Sequence, residues 1–244
     1  MSNPVLNSAF NERENVYQLQ DAPMTINGVL NKLGLISVLM FISGGATWYQ
    51  FAIGNYDKVM AITTCGFVVG FILAMVTCFV RKAAKYTVPI YAFAEGAALA
   101  GVSCVLEAQF SGIVVKAVAL TFITLFSMFM LYSAKIIKVN DTFRNTLITV
   151  TFSICIFYII SWVLALFGVA IPMLRDSSPI SIGFSVLVCG IAAFNLLLDF
   201  DFIEQAAARF FPKDYEWTAA FGLTVTLVWL YVEILNLLSK LNRR

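Results

Sequence analysis

The stretch NLLLDFDFIEQAAARFFPKDYEWTAAFGLTVTLVWLYVEILNLLSK, residues 195–240, contains two hydrophobic segments separated by a short polar turn. Acidic residues interrupt both segments: Asp199 and Asp201 lie in the first, and Glu233 lies in the second. An unpaired charge in hydrocarbon costs on the order of several kcal/mol, so such residues are rare unless they have a function. We therefore expect these segments to be membrane helices whose carboxylates control the passage of an ion.

The composition of the whole chain agrees with a membrane protein. Of 244 residues, 60% are hydrophobic and only 12% are charged, and the mean hydropathy is +0.86. A soluble globule of this size would need more polar residues to cover its surface. The net charge of +2 is small, and no basic run with interleaved aromatic residues is present, so nucleic acid is excluded as a partner.

Apolar runs long enough to cross about 30 Å of hydrocarbon recur seven times along the chain. They cover residues 33–53, 59–80, 88–106, 112–134, 147–171, 180–199 and 219–239. The runs are continuous rather than alternating, which favours helices over barrel strands. The sequence predicts an all-α polytopic membrane protein: one seven-helix domain, residues 32–244, preceded by a polar tail, residues 1–31, that lacks a signal-peptide pattern.

Lysine and arginine residues predict the orientation, because they accumulate in cytoplasmic loops. Most of them fall on the side of the membrane that holds the amino terminus, which is therefore predicted to be cytoplasmic. We expect the lipid bilayer as the surroundings of the protein. The basic carboxyl-terminal residues Lys240, Arg243 and Arg244 favour a competing topology, in which the seventh segment is re-entrant.

Histidine is absent and cysteine is sparse, which limits the chemistry available. Without histidine, any sensing of pH near neutrality depends on carboxylates. The five cysteines all lie in apolar runs without CxxC spacing, and we interpret them as reduced packing residues. The spacing of Gly66 and Gly70 in the second segment predicts close helix packing.

The seventh segment carries one polar stripe on an otherwise apolar helix. Gly222, Thr226, Trp229, Glu233, Asn236 and Lys240 recur at spacings of three or four residues. Such a stripe indicates a helix surrounded by protein or facing a water-filled path. The alternative is that Glu233 is a structural carboxylate that is hydrogen-bonded to a neighbouring helix.

In the sixth segment, Asp199 and Asp201 are two residues apart and cannot point in the same direction. One can face inward while the other joins Glu204 and Arg209 at the solvated end. Counting from the turn places Glu233 about 9 Å deeper than Asp199 at 1.5 Å per residue, so a kink or tilt is needed to bring them together. If they meet, they share one proton, and when both are deprotonated they offer oxygen ligands to Ca²⁺.

Two further charged residues are candidates. Glu95 lies about two turns inside the third segment, where it either pairs with a basic residue at the cytoplasmic face or lines a cavity. Arg81 ends the second segment beside Lys82 and Lys85, and all three are expected to mark the cytoplasmic side.

At several blocks the sequence resembles the transmembrane Bax inhibitor motif family, specifically its bacterial branch. The blocks are MTINGVLNKLG from Met24, PIYAFAEGAALAGVSCVLE from Pro89, SGIVVKAVALTF from Ser111, and LLLDFDFIE with EWTAAFGLTVTLVWLYVEILNLL near the end. The resemblance implies seven helices with the last at the centre, and a pH-sensitive calcium leak controlled by a carboxylate pair on helices six and seven. It also implies that an arginine ending the second helix latches onto this pair.

Matched residue by residue, the pair is Asp199 and Glu233, and the latch is Arg81. The family's pair is two aspartates, so Glu233 is a departure, and Asp201 is an additional acid beside Asp199. The implied function needs no cofactor and involves calcium ions and protons.

Three other functions are considered. A non-conducting regulator would bind other membrane proteins, such as proteases or cell-death factors, through residues 1–21. An intramembrane aspartyl protease is disfavoured, because Glu233 takes the place of the second aspartate and no GxGD-like sequence surrounds Asp199. A retinal protein is disfavoured because Lys240, the only lysine of the seventh segment, lies at its end. We therefore do not expect an enzyme.

Overall fold

The computed structural model describes residues 22–169 and 171–243, and seven long helices make up most of these ranges. They are α1 (Ile26–Ala52), α2 (Tyr56–Phe79), α3 (Ala84–Gln109), α4 (Ile113–Ser133), α5 (Asp141–Leu166), α6 (Pro179–Ala208) and α7 (Tyr215–Asn242). All seven are long and apolar enough to cross a membrane. The prediction of an all-α polytopic membrane protein with seven spans is confirmed.

Local sequence sets where several helices begin. The Thr25 hydroxyl accepts a hydrogen bond from the Gly28 amide at 3.0 Å, which caps α1. Residues 26–31, assigned to the polar tail from sequence, therefore belong to this helix, while residues 1–21 lie outside the described residues. The Asn140 side chain caps α5, and Ser178 followed by Pro179 starts α6.

Two short elements connect the long helices. A 3₁₀ turn, Arg81–Ala83, lies between α2 and α3, and a single-turn helix, Pro172–Arg175, lies between α5 and α6. Helix α6 continues well past Asp199 to Ala208, so that the turn to α7 falls at residues 209–214.

Glycines allow α3 to pack closely between α1 and α2. A Cβ atom at Gly66 of α2 would lie 2.7 Å from the Ala94 carbonyl oxygen, and one at Gly96 of α3 would lie 2.5 Å from Met40 of α1. Real Cβ atoms do not approach that closely, so only glycine permits these contacts. The interpretation of the Gly66 and Gly70 spacing as a packing motif is confirmed.

Helix α7 packs against α1, α3, α4 and α6. Helix α3 is nevertheless the most buried span: 56% of the residues in its most apolar 18-residue stretch are buried, against 44% for α7. The central position of the last helix therefore stays a prediction.

The start of the described chain is tied to the turn between α6 and α7. The Met24 amide donates to the Phe211 carbonyl at 2.7 Å, and Pro23 forms an isolated bridge with Pro212. This tie brings the first turn of α1 beside the first turn of α7.

Candidate functional site

The polar stripe of α7 faces protein, as the sequence predicted. Glu233 and Lys240 are buried, and the other four stripe residues are partly buried. Val225 and Val232, between them along the helix, are exposed on the outer surface. The carboxylate at position 233 therefore projects into the bundle rather than toward lipid.

Glu233 is held by two neutral donors. The Tyr158 hydroxyl of α5 donates to Glu233 Oε1 at 2.8 Å, and the Trp229 indole donates to the same oxygen at 3.2 Å. The other oxygen, Oε2, is buried and has no hydrogen-bond partner among the described residues. Only one of the two carboxylate oxygens of Glu233 is therefore hydrogen-bonded. The bond from Tyr158 of α5 agrees with the alternative that Glu233 is a structural carboxylate bonded to a neighbouring helix.

Asp199 approaches α7 from α6, and it lies closer than Glu233 to the turn between these two helices. A Cβ atom at Gly222 would lie 4.0 Å from Asp199 Oδ1, and Thr226 lies beside the same carboxylate. Asp199 Oδ2 is buried and, like Glu233 Oε2, has no hydrogen-bond partner in the described part of the chain. The two predicted site residues therefore share an unusual property: each keeps one buried, unpartnered oxygen.

The structure does not bring the two carboxylates into contact. Asp199 faces Gly222 and Thr226, whereas Glu233 lies seven residues beyond Thr226, which is about 10 Å along α7 at 1.5 Å per residue. Counting from the turn predicts an offset of this kind. A proton-sharing pair of Asp199 and Glu233 stays a prediction.

Asp201 points away from this region. It forms an ion pair with Arg144 of α5 and accepts a hydrogen bond from Gln205 at 2.7 Å. Its neighbour Glu204 accepts a hydrogen bond from Tyr132. The expectation that one of the two aspartates faces inward and the other joins a solvated polar cluster agrees with this arrangement, and Asp199 is the inward one.

Comparison with known proteins agrees with the geometry. Residues 3–243 match the family described as Bax inhibitor 1 like. The chain belongs to this family. The match covers nearly the whole chain, so it includes all seven spans and makes the protein an integral membrane protein. No curated protein and no solved structure matches the chain.

In this Bax inhibitor 1-like protein, Arg81 does not reach Asp199. Its side chain is exposed, donates to the Tyr215 hydroxyl at 2.8 Å and lies 5.6 Å from the centre of the Tyr215 ring. Tyr215 is the first residue of α7. Arg81 therefore contacts the same helix that the predicted latch would act on, but at its end, and the latch itself stays a prediction.

Glu95 belongs to a different part of the family fold. It is buried on α3 and faces α2, where a Cβ atom at Gly70 would lie 2.7 Å from Glu95 Oε2. Among the described residues no ion pair to Glu95 is present. Glu95 is therefore not grouped with Asp199 and Glu233, and Gly70 makes the space for its side chain.

Sequence reasoning missed Glu216, which has more hydrogen-bond donors than any other carboxylate in the described part of the chain. It is only 1% exposed, pairs with Lys32 of α1, and accepts hydrogen bonds from the amide and hydroxyl of Thr25 at 3.0 and 3.1 Å. A Cβ atom at Gly28 would collide with this carboxylate. The available signal was that Lys32 and Glu216 both begin a span at the same membrane face.

The burial of Lys240 was also not foreseen. Its side chain is only 2% exposed, and Nζ donates to Ser185 Oγ at 2.9 Å and to the Met173 carbonyl at 3.3 Å. Ser181 donates to the same carbonyl at 2.6 Å. The single-turn helix Pro172–Arg175 is thereby fixed to α6 and α7.

A preformed metal site is not present in the described part of the chain, where no three His, Cys, Asp or Glu residues converge. Asp199 and Glu233 also do not converge on one point. Calcium binding by these two residues stays a prediction, and the geometry fits two single-carboxylate positions better than one shared site.

Proposed function

We propose that the protein is a pH-sensitive calcium leak channel whose ion path follows the interface of α6 and α7. The observation that supports it is the presence of two buried, unpartnered carboxylate oxygens, Asp199 Oδ2 and Glu233 Oε2, at successive depths along this interface. A buried polar atom without a partner is costly. Such oxygens become satisfied when they hold a proton or contact a cation.

Asp199 and Glu233 act as two successive binding sites along the ion path, here called stations, rather than as one shared pair. An ion held by a single carboxylate binds more weakly than an ion held by two, because Ca²⁺ prefers six to eight oxygen ligands. Weak binding at several sites suits conduction, since an ion must leave each site as readily as it enters. The separation of about 10 Å between Thr226 and Glu233 along α7 spaces the stations accordingly.

Protons and calcium compete for the same oxygens. A carboxylate must be deprotonated to bind a metal ion, so acidification reduces calcium occupancy at Asp199 and Glu233. This gives the path a dependence on pH in a protein that lacks histidine. The proposal places the amino terminus on the cytoplasmic side, which the distribution of lysine and arginine supports. The membrane is proposed to be a bacterial inner membrane, as the resemblance to the bacterial branch of the family implies.

Calcium flux into proteoliposomes, followed with an entrapped fluorescent indicator over a range of pH, tests the proposal. We expect Asp199→Asn and Glu233→Gln each to reduce the flux and to flatten its pH profile. Asp201→Asn is the matched control, because it removes an acid two residues from Asp199 that is already paired with Arg144. Its flux should keep the wild-type pH profile.

Unchanged flux in both Asp199→Asn and Glu233→Gln would exclude these residues as stations. Absence of flux from the wild-type protein would instead favour the non-conducting regulator that binds other membrane proteins. Co-purification of a membrane protein that is lost on deletion of residues 1–21 would then identify that role.

A further inference from the structure

A cavity lies on the face of α7 opposite the one that carries Glu233. It has a volume of about 390 Å³ and is formed by α1, α3, α4 and α7, with Leu99 and Tyr231 among its walls. Cavities of several hundred Å³ are the usual size of small-molecule sites. Neither Asp199 nor Glu233 lines it, so it is separate from the proposed ion path.

The hydroxyl groups that line this cavity are all engaged within the protein. Ser37, Thr121 and Thr224 donate to carbonyls of their own helices at 2.9, 2.8 and 2.8 Å. Ser103 and Tyr231 bind each other at 2.6 Å. No charged side chain lines the cavity among the described residues. The hydroxyl protons are therefore all used within the protein, and without a charged side chain the lining suits hydrocarbon better than an ion.

The mouth of the cavity opens toward lipid. Phe41 of α1 and Phe122 of α4 line it and are 64% and 53% exposed. Helix α1 packs on α2, α3, α6 and α7, and α4 packs on α3, α6 and α7, so the gap between α1 and α4 is open at the outer surface of the bundle. Exposed apolar residues on a membrane span face hydrocarbon.

The cavity is also long enough for a chain lying along the membrane normal. Its lining on α1 runs from Leu33 to Trp48, which is about 22 Å at 1.5 Å per residue. One leaflet contributes about 15 Å of hydrocarbon, half of the usual bilayer core. Trp48 lies four residues before the end of α1, where tryptophan commonly marks the lipid headgroup level.

We propose that this cavity is a lateral site for an acyl chain of a bilayer phospholipid, entering between α1 and α4. The headgroup stays at the membrane surface on the Trp48 side, and the chain lies against Leu99, Ser103 and Tyr231. The bound chain fills space between helices that contact each other only through α3, α6 and α7, and so supports the α1 and α4 walls.

Helix α1 of the protein offers one position for a variant that obstructs the site and another for a matched control. A Cβ atom at Gly45, which lines the cavity, meets no atom within 4 Å, and the same is true at Gly34, which does not line it. Gly45→Leu therefore adds a large apolar side chain at the α1 wall of the cavity, without a clash at its first side-chain atom, and is designed to obstruct the site. Gly34→Leu adds the same side chain to α1 and leaves the cavity open.

The experiment uses the full chain in vesicles of phosphatidylcholine that carries a photoactivatable diazirine on one acyl chain. After irradiation, mass spectrometry locates the labelled residues. We expect labels on the cavity wall at Leu99 and Tyr231, and on Ile72 of α2, which is 54% exposed and reports contact with bulk lipid. In Gly45→Leu the wall labels should fall to background while Ile72 stays labelled, and in Gly34→Leu both should remain.

Label on Ile72 without label on Leu99 or Tyr231 in the wild type would overturn the proposal. Wall label that persists in Gly45→Leu would do the same. If Gly45→Leu does not fold, Val118→Phe obstructs the cavity from α4 instead. The same loss of wall label is then expected, and wall label that persists overturns the proposal. None of these readouts depends on calcium flux, so the lipid site and the ion path can fail separately.

Discussion

Two glutamates on the same helix, Glu216 and Glu233, are both almost completely buried but have opposite surroundings. Glu216 has a cationic partner, Lys32, and two further donors from Thr25. Glu233 has only neutral donors, from Tyr158 and Trp229, and keeps one oxygen unpartnered. Their exposed fractions, 1% and 4%, do not distinguish them.

The difference separates a carboxylate that holds the fold from one that, in the proposed function, binds an ion. A buried carboxylate with a fixed cation has its charge neutralised within the protein, and it gains nothing from a mobile cation. A buried carboxylate without one depends on a proton or a cation from outside. Burial alone is therefore a poor guide to the role of a carboxylate in a membrane helix. Whether the carboxylate has a cationic partner within the protein is the better guide.

The largest effect on stability should come from Glu216→Gln. The amide cannot neutralise Lys32, and breaking a buried ion pair on one side costs about 3–5 kcal/mol. Because Lys32 keeps 16% of its side chain exposed, we expect the lower end of this range. Thermal unfolding in detergent measures it. The double variant Lys32→Met with Glu216→Gln should recover part of the loss, and no recovery would mean that Lys32 is not the partner that matters.

Tyr158→Phe should have the next largest effect. It removes the shorter of the two hydrogen bonds to Glu233, which is worth about 1.5–3 kcal/mol when the carboxylate is ionised. The same unfolding assay applies. The loss should shrink in a Glu233→Gln background, because a neutral amide accepts a weaker bond. An equal loss in both backgrounds would assign the effect to packing of the ring.

Asp201→Asn should cost less than about 1 kcal/mol, as is usual for ion pairs with solvent access. Its partner Arg144 is 36% exposed, and the amide oxygen can still accept from Gln205. Unfolding in low and high salt checks this, because screening should remove most of the difference. A loss as large as that of Glu216→Gln would place Asp201 with the carboxylates that hold the fold.

Glu233→Gln should leave stability within about 0.5 kcal/mol of the wild type or raise it, which is the sharpest contrast with the same substitution at Glu216. The amide oxygen can accept from Tyr158 and Trp229, and among the described residues no cation is in ion-pair contact with Glu233. Lys240, two turns further along α7, keeps its hydrogen bonds to Ser185 and Met173. Unfolding of the two variants side by side is the measurement. Destabilisation of Glu233→Gln by several kcal/mol would erase the distinction between the two glutamates.

Hydropathy predicted all seven spans, because the length and apolar character of a span are local properties of the sequence. The ends were less well predicted. Helix α1 begins at Ile26 because Thr25 caps it and Glu216 accepts from Thr25, a contact between residues 191 positions apart. Local polarity placed this segment in the tail instead.

Of the site, the inward direction of Glu233 was predictable and its neighbours were not. The stripe on α7 follows from helical periodicity alone. Which helix each stripe residue meets depends on the rotation and height of its neighbours, so the contact of Glu233 with Tyr158, 75 residues away, could not be derived. The choice between Asp199 and Asp201 had the same limit, because it depends on Arg144 lying beside Asp201.

The pair of Lys32 and Glu216 has a consequence for synthesis. Of the seven spans described, the one that contains Lys32 leaves the ribosome first and the one that contains Glu216 leaves it last, 184 residues later. Until α7 is inserted, α1 carries a lysine without its counter-charge, and Thr25 lacks its acceptor. A chain that is interrupted before α7 therefore presents an uncompensated cation at one membrane face, and insertion of α7 is what removes it.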